Sequence, residues 1–459
     1  MTDLSAFKAY DIRGQIGVNL DTDLAHKIGR AFAEVTGCKT AVVGQDIRPS
    51  SPEITDAIAE GLMAAGVEVL DIGLCGTEEV YFATTHLEAG GGLMITASHN
   101  PIDYNGIKMV GPGSRPLSAE DEMERLKALC GGAALPDAAT KGSRRSVDCR
   151  DAYAEKIVSF VDISALKPLT ILVNAGNGVA GAPFDAIAEK LAARGAPLSF
   201  VRMHHAPDAT FPNGIPNPLL PENQPATGTR VTTEKADMGV AWDGDFDRCF
   251  LCDETGNFVE GEFVVGLLAK AFLVSHPGAK IVHDTRVAFN SREVIAEAGG
   301  TAVASPTGHS LIKALMRRED AVYGGEISAH HYFRDFMYCD SGMIPWLMIA
   351  QLLSSEGKSL SQMVQQMREN YPSSGEINFR LADTEAAKSA FEATYAAAAN
   401  TQDRLDGLSL EFDNWRVNLR SSNTEPVLRL NVETKGNRAL LEQKVTEISE
   451  LIEAKGNPA

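Results

Sequence analysis

The feature that most constrains this chain is a strand–turn–helix–strand unit that occurs three times. The first runs from Ala41-Val42-Val43-Gly44 through a helix near 51–65 to an apolar strand at 67–71. The second runs from Leu169-Thr170-Ile171-Leu172-Val173 through 182–194 to 198–201, and the third from Lys280-Ile281-Val282-His283 through 291–298 to 301–304. Each helix is followed by glycine (Gly66, Gly195, Gly299-Gly300), the residue that most readily takes the left-handed stop conformation. Apolar strands alternating with helices imply parallel sheets covered on both faces. Beyond about residue 370 the pattern changes. Tyr371-Pro372 breaks a helix, 408–412 and 427–432 read as strands, and Leu441, Val445, Ile448 and Ile452 share one face of a closing helix. An alanine-rich stretch at 388–400 reads as a surface helix. The expected fold class is α/β, with three related doubly wound domains and a C-terminal α+β domain. The expected boundaries are 1–150, 151–255, 256–368 and 369–459.

Composition narrows the function. A formal charge of −19 disfavours nucleic acid or an anionic membrane surface as partner. No window approaches the ~18 apolar residues of a membrane span. The first residues lack a signal-peptide apolar core, and seven scattered cysteines suit a reducing cytoplasm. Cys249 and Cys252 form a C-x-x-C, but inside an apolar run with no second pair, and read as buried strand residues. If the ligand is a phosphate, its cations must be gathered locally within an acidic protein.

Several segments carry chemistry. Thr96-Ala97-Ser98-His99-Asn100-Pro101 follows Gly-rich and apolar residues, which places Ser98 on a tight loop at a strand's C-terminal end, where open α/β sheets bind ligands. A serine hydroxyl needs a base or cation to act as nucleophile, and His99 and Lys108 are close in sequence. Asp243-Gly244-Asp245-Phe246-Asp247-Arg248 follows the apolar strand 238–242. Three carboxylates at alternate positions of a bent loop can converge on one hard divalent cation. An EF-hand does not fit, because Arg248 stands where the turn needs glycine and the flanks read as strands. Gly324-Gly325-Glu326-Ile327-Ser328-Ala329-His330 follows an expected strand at 320–323. On an extended loop its Glu, Ser and His would face one side, a means of holding vicinal hydroxyls. Arg420-Ser421-Ser422-Asn423-Thr424-Glu425-Pro426 could cradle a phosphate through its backbone and Arg420. Tyr10-Asp11-Ile12-Arg13, Asp284-Thr285-Arg286 and Thr307-Gly308-His309 add cations and polar turns.

Together these segments resemble the α-D-phosphohexomutase superfamily, most closely its bacterial phosphomannomutase branch. The resemblance spans essentially the whole chain, with T-A-S-H-N-P similar to the phosphoserine loop and D-G-D-F-D-R to the metal loop. G-E-I-S-A-H is similar to the sugar loop, and R-S-S-N-T-E-P to the phosphate loop. Gly76-Thr77-Glu78-Glu79 and His330-His331-Tyr332-Phe333-Arg334-Asp335 look like the branch that makes mannose 1-phosphate for GDP-sugars. The resemblance implies four domains around a central cleft. It implies conversion of mannose 6-phosphate to mannose 1-phosphate by phospho-Ser98 through a hexose 1,6-bisphosphate, which also acts as activator. It further implies one Mg²⁺ per chain on Asp243, Asp245, Asp247 and the Ser98 phosphate, with Arg248 neutralising transferring charge. Glu326 and Ser328 would hold the sugar, and Arg420, Ser422, Asn423 and Thr424 the non-reacting phosphate. Tyr10, Arg13, His99, Arg286, His309 and His330 would line the same site, and Lys108 or His330 would handle the hydroxyl proton. Partners would be small hexose phosphates, neither nucleic acid nor membrane, for a cytoplasmic monomer or dimer.

Two positions depart from the relatives. Ile327-Ser328-Ala329 stands where dual-specific relatives carry Met-Ser-Gly, and Arg286 where some carry lysine. Nothing in the sequence reads the C2 hydroxyl that separates glucose from mannose, so a phosphoglucomutase or dual enzyme stands as the alternative. Phosphatase and non-catalytic binding readings are separated from a mutase by free phosphate release and by the presence of Ser98 beside the metal loop.

Overall fold

The computed structural model describes residues 3–8, 10–421 and 427–457. They sort into two compact units. One runs to Phe258 and takes in His330–Gly357; the other joins Val259–Ala329 to the chain from Lys358 onward.

In the first unit, parallel strands Gly92–Ile95, Thr40–Gln45 and Glu68–Leu74 form the centre of a six-stranded sheet. Tyr104–Val110 and Ile12–Gln15 extend it antiparallel on one side, and Arg144–Ser146 pairs with Glu68–Leu74 on the other. Thr40–Gln45 and Gly92–Ile95 are buried on both faces, consistent with helical cover. The helices Thr22–Thr36 and Ser51–Ala64 pack with them around Phe32, Ile54, Ile58, Leu62, Val43 and Leu93, and fully burying each such side chain is worth about 1.5–3 kcal/mol. Asp21 caps the first of these helices by accepting from the Leu24 N–H at 2.8 Å, and left-handed Gly37 ends it.

A second sheet in this unit has neighbouring strands Cys249–Asp253, Met238–Trp242, Leu169–Asn174 and Leu198–Met203. Every residue from Met238 to Asp253 is buried, including Cys249 and Cys252, which are free thiols within the strand as the sequence implies. The hairpin His331–Phe333/Cys339–Asp340 leads into the helix Met343–Glu356. The start of that helix is anchored by the buried Glu78, which accepts from the Ser341 hydroxyl, the Gly342 and Met343 N–H groups and the Tyr153 hydroxyl.

In the second unit, Lys280–Asp284 lies between Thr301–Ser305 and Tyr323–Gly325, all parallel. An antiparallel sheet follows in the order Ser373–Arg380, Val427–Thr434, Trp415–Ser421, Leu408–Glu411, Thr401–Asp403. It is covered by helices Thr384–Tyr395 and Arg438–Gly456, with Phe391, Leu441, Ile448 and Ile452 in the shared core. The two parts of this unit are joined by a buried ion pair. Glu433 accepts from the Ala288 and Phe289 N–H groups and pairs with Arg416 at 2.9 Å, while Arg416 donates to the Thr285 and Arg286 carbonyls.

The helices of all three repeats end where expected, at Gly66, Gly195 and Gly299 with φ of 75–82°. Two local readings are corrected. The expected strand at 320–323 begins only at Tyr323, because Asp320 takes the left-handed conformation as the cap of the helix His309–Glu319. The alanine-rich helix starts earlier, at Thr384, where Asp383 accepts from the Ala386 N–H. Among the described residues, no helix is long and apolar enough to cross a membrane.

Candidate active site

Two strand ends build the site of the first unit. The loop after Gly92–Ile95 turns sharply enough to put Ser98 in the left-handed region, φ 52°, which costs energy for a non-glycine residue. That conformation is held by a buried guanidinium. Arg48 donates to the backbone carbonyls of Ser98 (2.9 Å), Asn100 (2.6 Å), Pro101 (2.7 Å) and Tyr104 (3.1 Å). Arg48 is itself aligned by Asp46, and Thr96 Oγ1 accepts from the Ser98 N–H at 2.8 Å. The second strand end is the loop between Met238–Trp242 and Cys249–Asp253, which carries the three aspartates. Gly244 is required there: a Cβ would lie 2.7 Å from the Ser98 carbonyl oxygen. Phe246, left-handed and fully buried, folds its ring over Gly76, where a Cβ would lie 2.1 Å from ring carbon.

The aspartates divide their oxygens in one way. Asp243 Oδ2 accepts from the Ser98 hydroxyl (2.6 Å) and from Arg248 (2.8 Å). Asp245 Oδ2 accepts from the Thr77 hydroxyl (2.6 Å) and from Lys108 (2.7 Å), and Asp247 Oδ2 accepts from Lys108. Each Oδ1, by contrast, is buried with no hydrogen-bond partner. The three carboxylates offer ligand atoms that all lie within 4.8 Å of one another. Buried unpaired carboxylate oxygens are costly, and three hard oxygen donors converging in this way fit a divalent cation.

The electrostatics agree. Burial, the largest single influence, would raise the Asp245 carboxyl, but the Lys108 charge and the hydrogen bonds from Lys108, Thr77 and Ser98 together hold the group below the usual range. Asp247 is pushed the other way, by burial and then by the Asp245 charge. Burial works against the Lys108 ammonium, yet the two carboxylates hold it charged, so it is their counter-ion. His99 is driven well below its usual range by burial and then by Arg248, and is therefore neutral. Its Nδ1 lies 3.1 Å from Ser98 Oγ and accepts from Arg248. Arg13 donates to Asn100 of the same loop at 2.8 Å. His330 lies on the metal-loop side, with Nδ1 3.0 Å from Asp340 and 3.9 Å from Asp247.

The second unit gathers the other polar loops. Asp284 orients Arg286, accepting from its guanidinium at 2.8 Å and from its N–H at 2.9 Å. Asp284 also accepts from the Ile327 N–H at 2.8 Å. Arg286 reaches the Ser328 hydroxyl at 3.3 Å, Ser328 donates to Glu326 at 2.8 Å, and the other Glu326 oxygen accepts from the Gly308 N–H beside His309. Arg420, almost fully buried, donates to Glu376 at 2.9 Å.

Family models for the phosphoglucomutase/phosphomannomutase domains match four successive segments. The α/β/α domains I, II and III match residues 4–129, 151–256 and 260–371, and the C-terminal domain matches 376–451. The chain belongs to the phosphoglucomutase/phosphomannomutase family, within the α-D-phosphohexomutase superfamily. It is 53% identical to a phosphomannomutase of Salmonella montevideo over 98% of this chain and all of that one. It is 52% identical to a Xanthomonas campestris protein named phosphohexose mutases, over 98% and 99%. Among solved structures, a Burkholderia thailandensis phosphoglucomutase/phosphomannomutase family protein aligns with a TM-score of 0.87 at 32% identity, covering 99% and 98% of the two chains. The three α/β domains plus a C-terminal domain expected from the repeats are the domain set of this family.

Within that family frame, Ser98, His99, Lys108, Arg13, Arg248, the three aspartates and His330 gather in the first unit, while Arg286, Glu326, Ser328 and Arg420 gather in the second. Tyr10 and His309 are half-buried at the start of the chain and at a helix N-terminus. Ser422, Asn423 and Thr424 lie outside the described residues. The sugar loop is not extended as expected: Ala329 N–H closes a turn onto the Glu326 carbonyl at 3.0 Å, with Ala329 left-handed. That turn points Ser328 back at Glu326, to which its hydroxyl donates at 2.8 Å. Sequence reasoning missed Arg48, Thr77, Asp284 and Glu376 as site residues. Asp284 had a signal in its place at a strand's C-terminal end two residues before Arg286, and Thr77 in the Gly76-Thr77-Glu78-Glu79 stretch.

Proposed function

We propose that the chain interconverts mannose 6-phosphate and mannose 1-phosphate, acting as a phosphomannomutase in the cytoplasm with Ser98 as the phosphoryl carrier. One observation carries the reading: the buried Ser98 hydroxyl sits 2.6 Å from a carboxylate whose other oxygen, like those of two neighbouring carboxylates, is buried and unpaired. Asp243, Asp245 and Asp247 would hold a Mg²⁺ ion, which when bound supplies charge neutralisation to the phosphoryl group. Arg248, fixed on Asp243, presents positive charge beside Ser98 Oγ, as phosphoryl transfer demands. His99, neutral and 3.1 Å from Ser98 Oγ, and Arg13, braced on Asn100, position the serine loop. Lys108 and His330 flank Asp247, and one or the other would handle the proton of the accepting hydroxyl. Phospho-Ser98 would give its phosphoryl group to the bound monophosphate, and the resulting hexose 1,6-bisphosphate would return its other phosphate to the serine. Glu326 and Ser328 would accept and donate hydrogen bonds to sugar hydroxyls, while Arg286 and Arg420 grip the phosphate not being transferred.

A dual mannose/glucose enzyme is the second reading, favoured by the equally similar Xanthomonas relative named phosphohexose mutases. A coupled assay of mannose 1-phosphate and glucose 1-phosphate conversion, with Mg²⁺ and a trace of hexose 1,6-bisphosphate, tests both. Conversion of mannose 1-phosphate lost in Ser98→Ala supports the proposal; conversion retained in Ser98→Ala, or free phosphate released at the rate of isomerisation, overturns it.

A further inference from the structure

Three arginines converge on one carboxylate in the second unit. Arg420 on the strand Trp415–Ser421 stands directly opposite Arg429 on Val427–Thr434, a like-charge pairing that sheets disfavour. Glu376, on the next strand, lies diagonal to Arg429 and resolves the conflict. Its Oε2 accepts from Arg420 at 2.9 Å and lies 3.8 Å from Arg286, while its Oε1 lies 3.2 Å from Arg429. Arg286 and Arg420 are each 5% exposed at the side chain, so their charges are poorly screened by water and raise the local demand for an anion.

Asp284 also pairs with Arg286 at 2.8 Å, so three positive charges face two paired carboxylates and a net positive charge remains. A phosphate monoester carries a charge of about −1.5 to −2 at neutral pH. Arg286 and Arg420 are the guanidiniums that the proposed function gives to the non-reacting phosphate, and Glu376 already holds both through one oxygen. We propose that Glu376 is an internal competitor for that phosphate: a carboxylate that keeps the arginines in place in the free enzyme and limits how tightly they hold a phosphate. The proposal rests on the mutase reading for its purpose. A bisphosphate whose two phosphates must exchange roles has to leave this cluster in every cycle, and the arginine trio without Glu376 would hold it too long.

The competitor role and a merely structural role predict opposite signs. Neutral Glu376→Gln keeps the shape and removes the competing charge, so affinity for inorganic phosphate should rise about 10- to 100-fold, the worth of one charge-assisted contact. If Glu376 only braces the arginines, the same change weakens phosphate binding. The measurement is titration calorimetry of the full chain with inorganic phosphate after chelation of divalent ions, with Arg420→Gln as the control that should lose binding. Glu376→Ser, which removes the carboxylate and leaves room for water, serves if Glu376→Gln does not fold. In the coupled assay, KM and kcat should fall together in Glu376→Gln, because the phosphate is held better and released more slowly. Phosphate affinity unchanged or weaker in the folded variant overturns the proposal. If the unaltered chain shows no mutase activity, the mutase reading fails, while the calorimetric comparison still tests the competition by itself.

Discussion

Replacing Arg48 with lysine tests whether the serine loop is held in its strained conformation from below. Arg48 is 1% exposed and spreads its donors over four carbonyls between Ser98 and Tyr104. Lysine keeps the positive charge facing Asp46 but concentrates its donors on one atom, which cannot span those carbonyls. Hydrogen bonds to charged groups are worth about 1.5–3 kcal/mol each, so losing two of the four costs about 3–6 kcal/mol. Part of that appears as lost stability. The rest is misplacement of Ser98, whose φ of 52° is otherwise held by the Thr96 hydroxyl and the Asp243 contact, and a displacement of about 1 Å can cost about 10²-fold in rate. The expected Arg48→Lys enzyme therefore shows kcat reduced by about 10² with KM little changed, because the contacts assigned to sugar and second phosphate are untouched. Intact-mass measurement should show a smaller phosphorylated fraction at Ser98. An Arg48→Lys protein with unaltered kcat, melting temperature and phosphorylation would refute the reasoning.

Four further outcomes are expected. Exhaustive chelation should abolish activity and lower the melting temperature, since a metal that binds only the folded site stabilises it. Asp245→Asn should weaken Mg²⁺ binding by at least about tenfold, read from the metal-dependent melting shift. The wild-type protein should carry a covalent phosphoryl group of about 80 Da that Ser98→Ala lacks, read by intact mass. Burial pushes the Glu78 carboxyl up to about 8, although Tyr153, Ser341 and Gly342 pull the other way. Because the folded state prefers the proton, this contribution to stability is complete below the ordinary glutamate value and is lost as pH rises toward about 8, a few kcal/mol in all. Denaturant titrations from pH 5 to 9 should show that decline in the wild type, and Glu78→Gln should flatten it.

Much of the fold was legible because it is written in local chemistry. The central parallel strands, such as Thr40–Gln45 and Leu169–Asn174, are apolar runs buried at their middles, and the helices between them stop at glycines whose left-handed conformation is a one-residue property. Where the reading slipped, a backbone choice overrode composition. Asp320 took the left-handed cap and delayed a strand to Tyr323, and Ala329 took a positive φ that turned an expected extended loop back on Glu326. Alanine does not announce that conformation, and aspartate, though it visits the left-handed region more readily than most residues, announces it only weakly.

The site divides along a different line. Ser98 and the aspartates were legible since several reactive groups crowd a few positions beside strand ends. What gives them their geometry was not, because each support lies far off in sequence and is an unremarkable residue where it stands. Gly244 reads as loop filler until its missing Cβ is set against the Ser98 carbonyl, and Gly76 until Phe246 lies across it. Thr77 reads as a helix start, yet its hydroxyl fixes Asp245 Oδ2 at 2.6 Å and so leaves Oδ1 for a cation. Arg48 follows this rule most strictly. It recognises carbonyls, which every residue has, so no side chain in the serine loop could have pointed to it. A guanidinium buried to 1% exposure needs acceptors for its donors, and the tight turn exposes four carbonyls to its two terminal nitrogens. The strained nucleophile and the buried arginine are thus two halves of one solution: the turn supplies the acceptors the arginine needs, and the arginine supplies the energy that keeps Ser98 where the carboxylates converge.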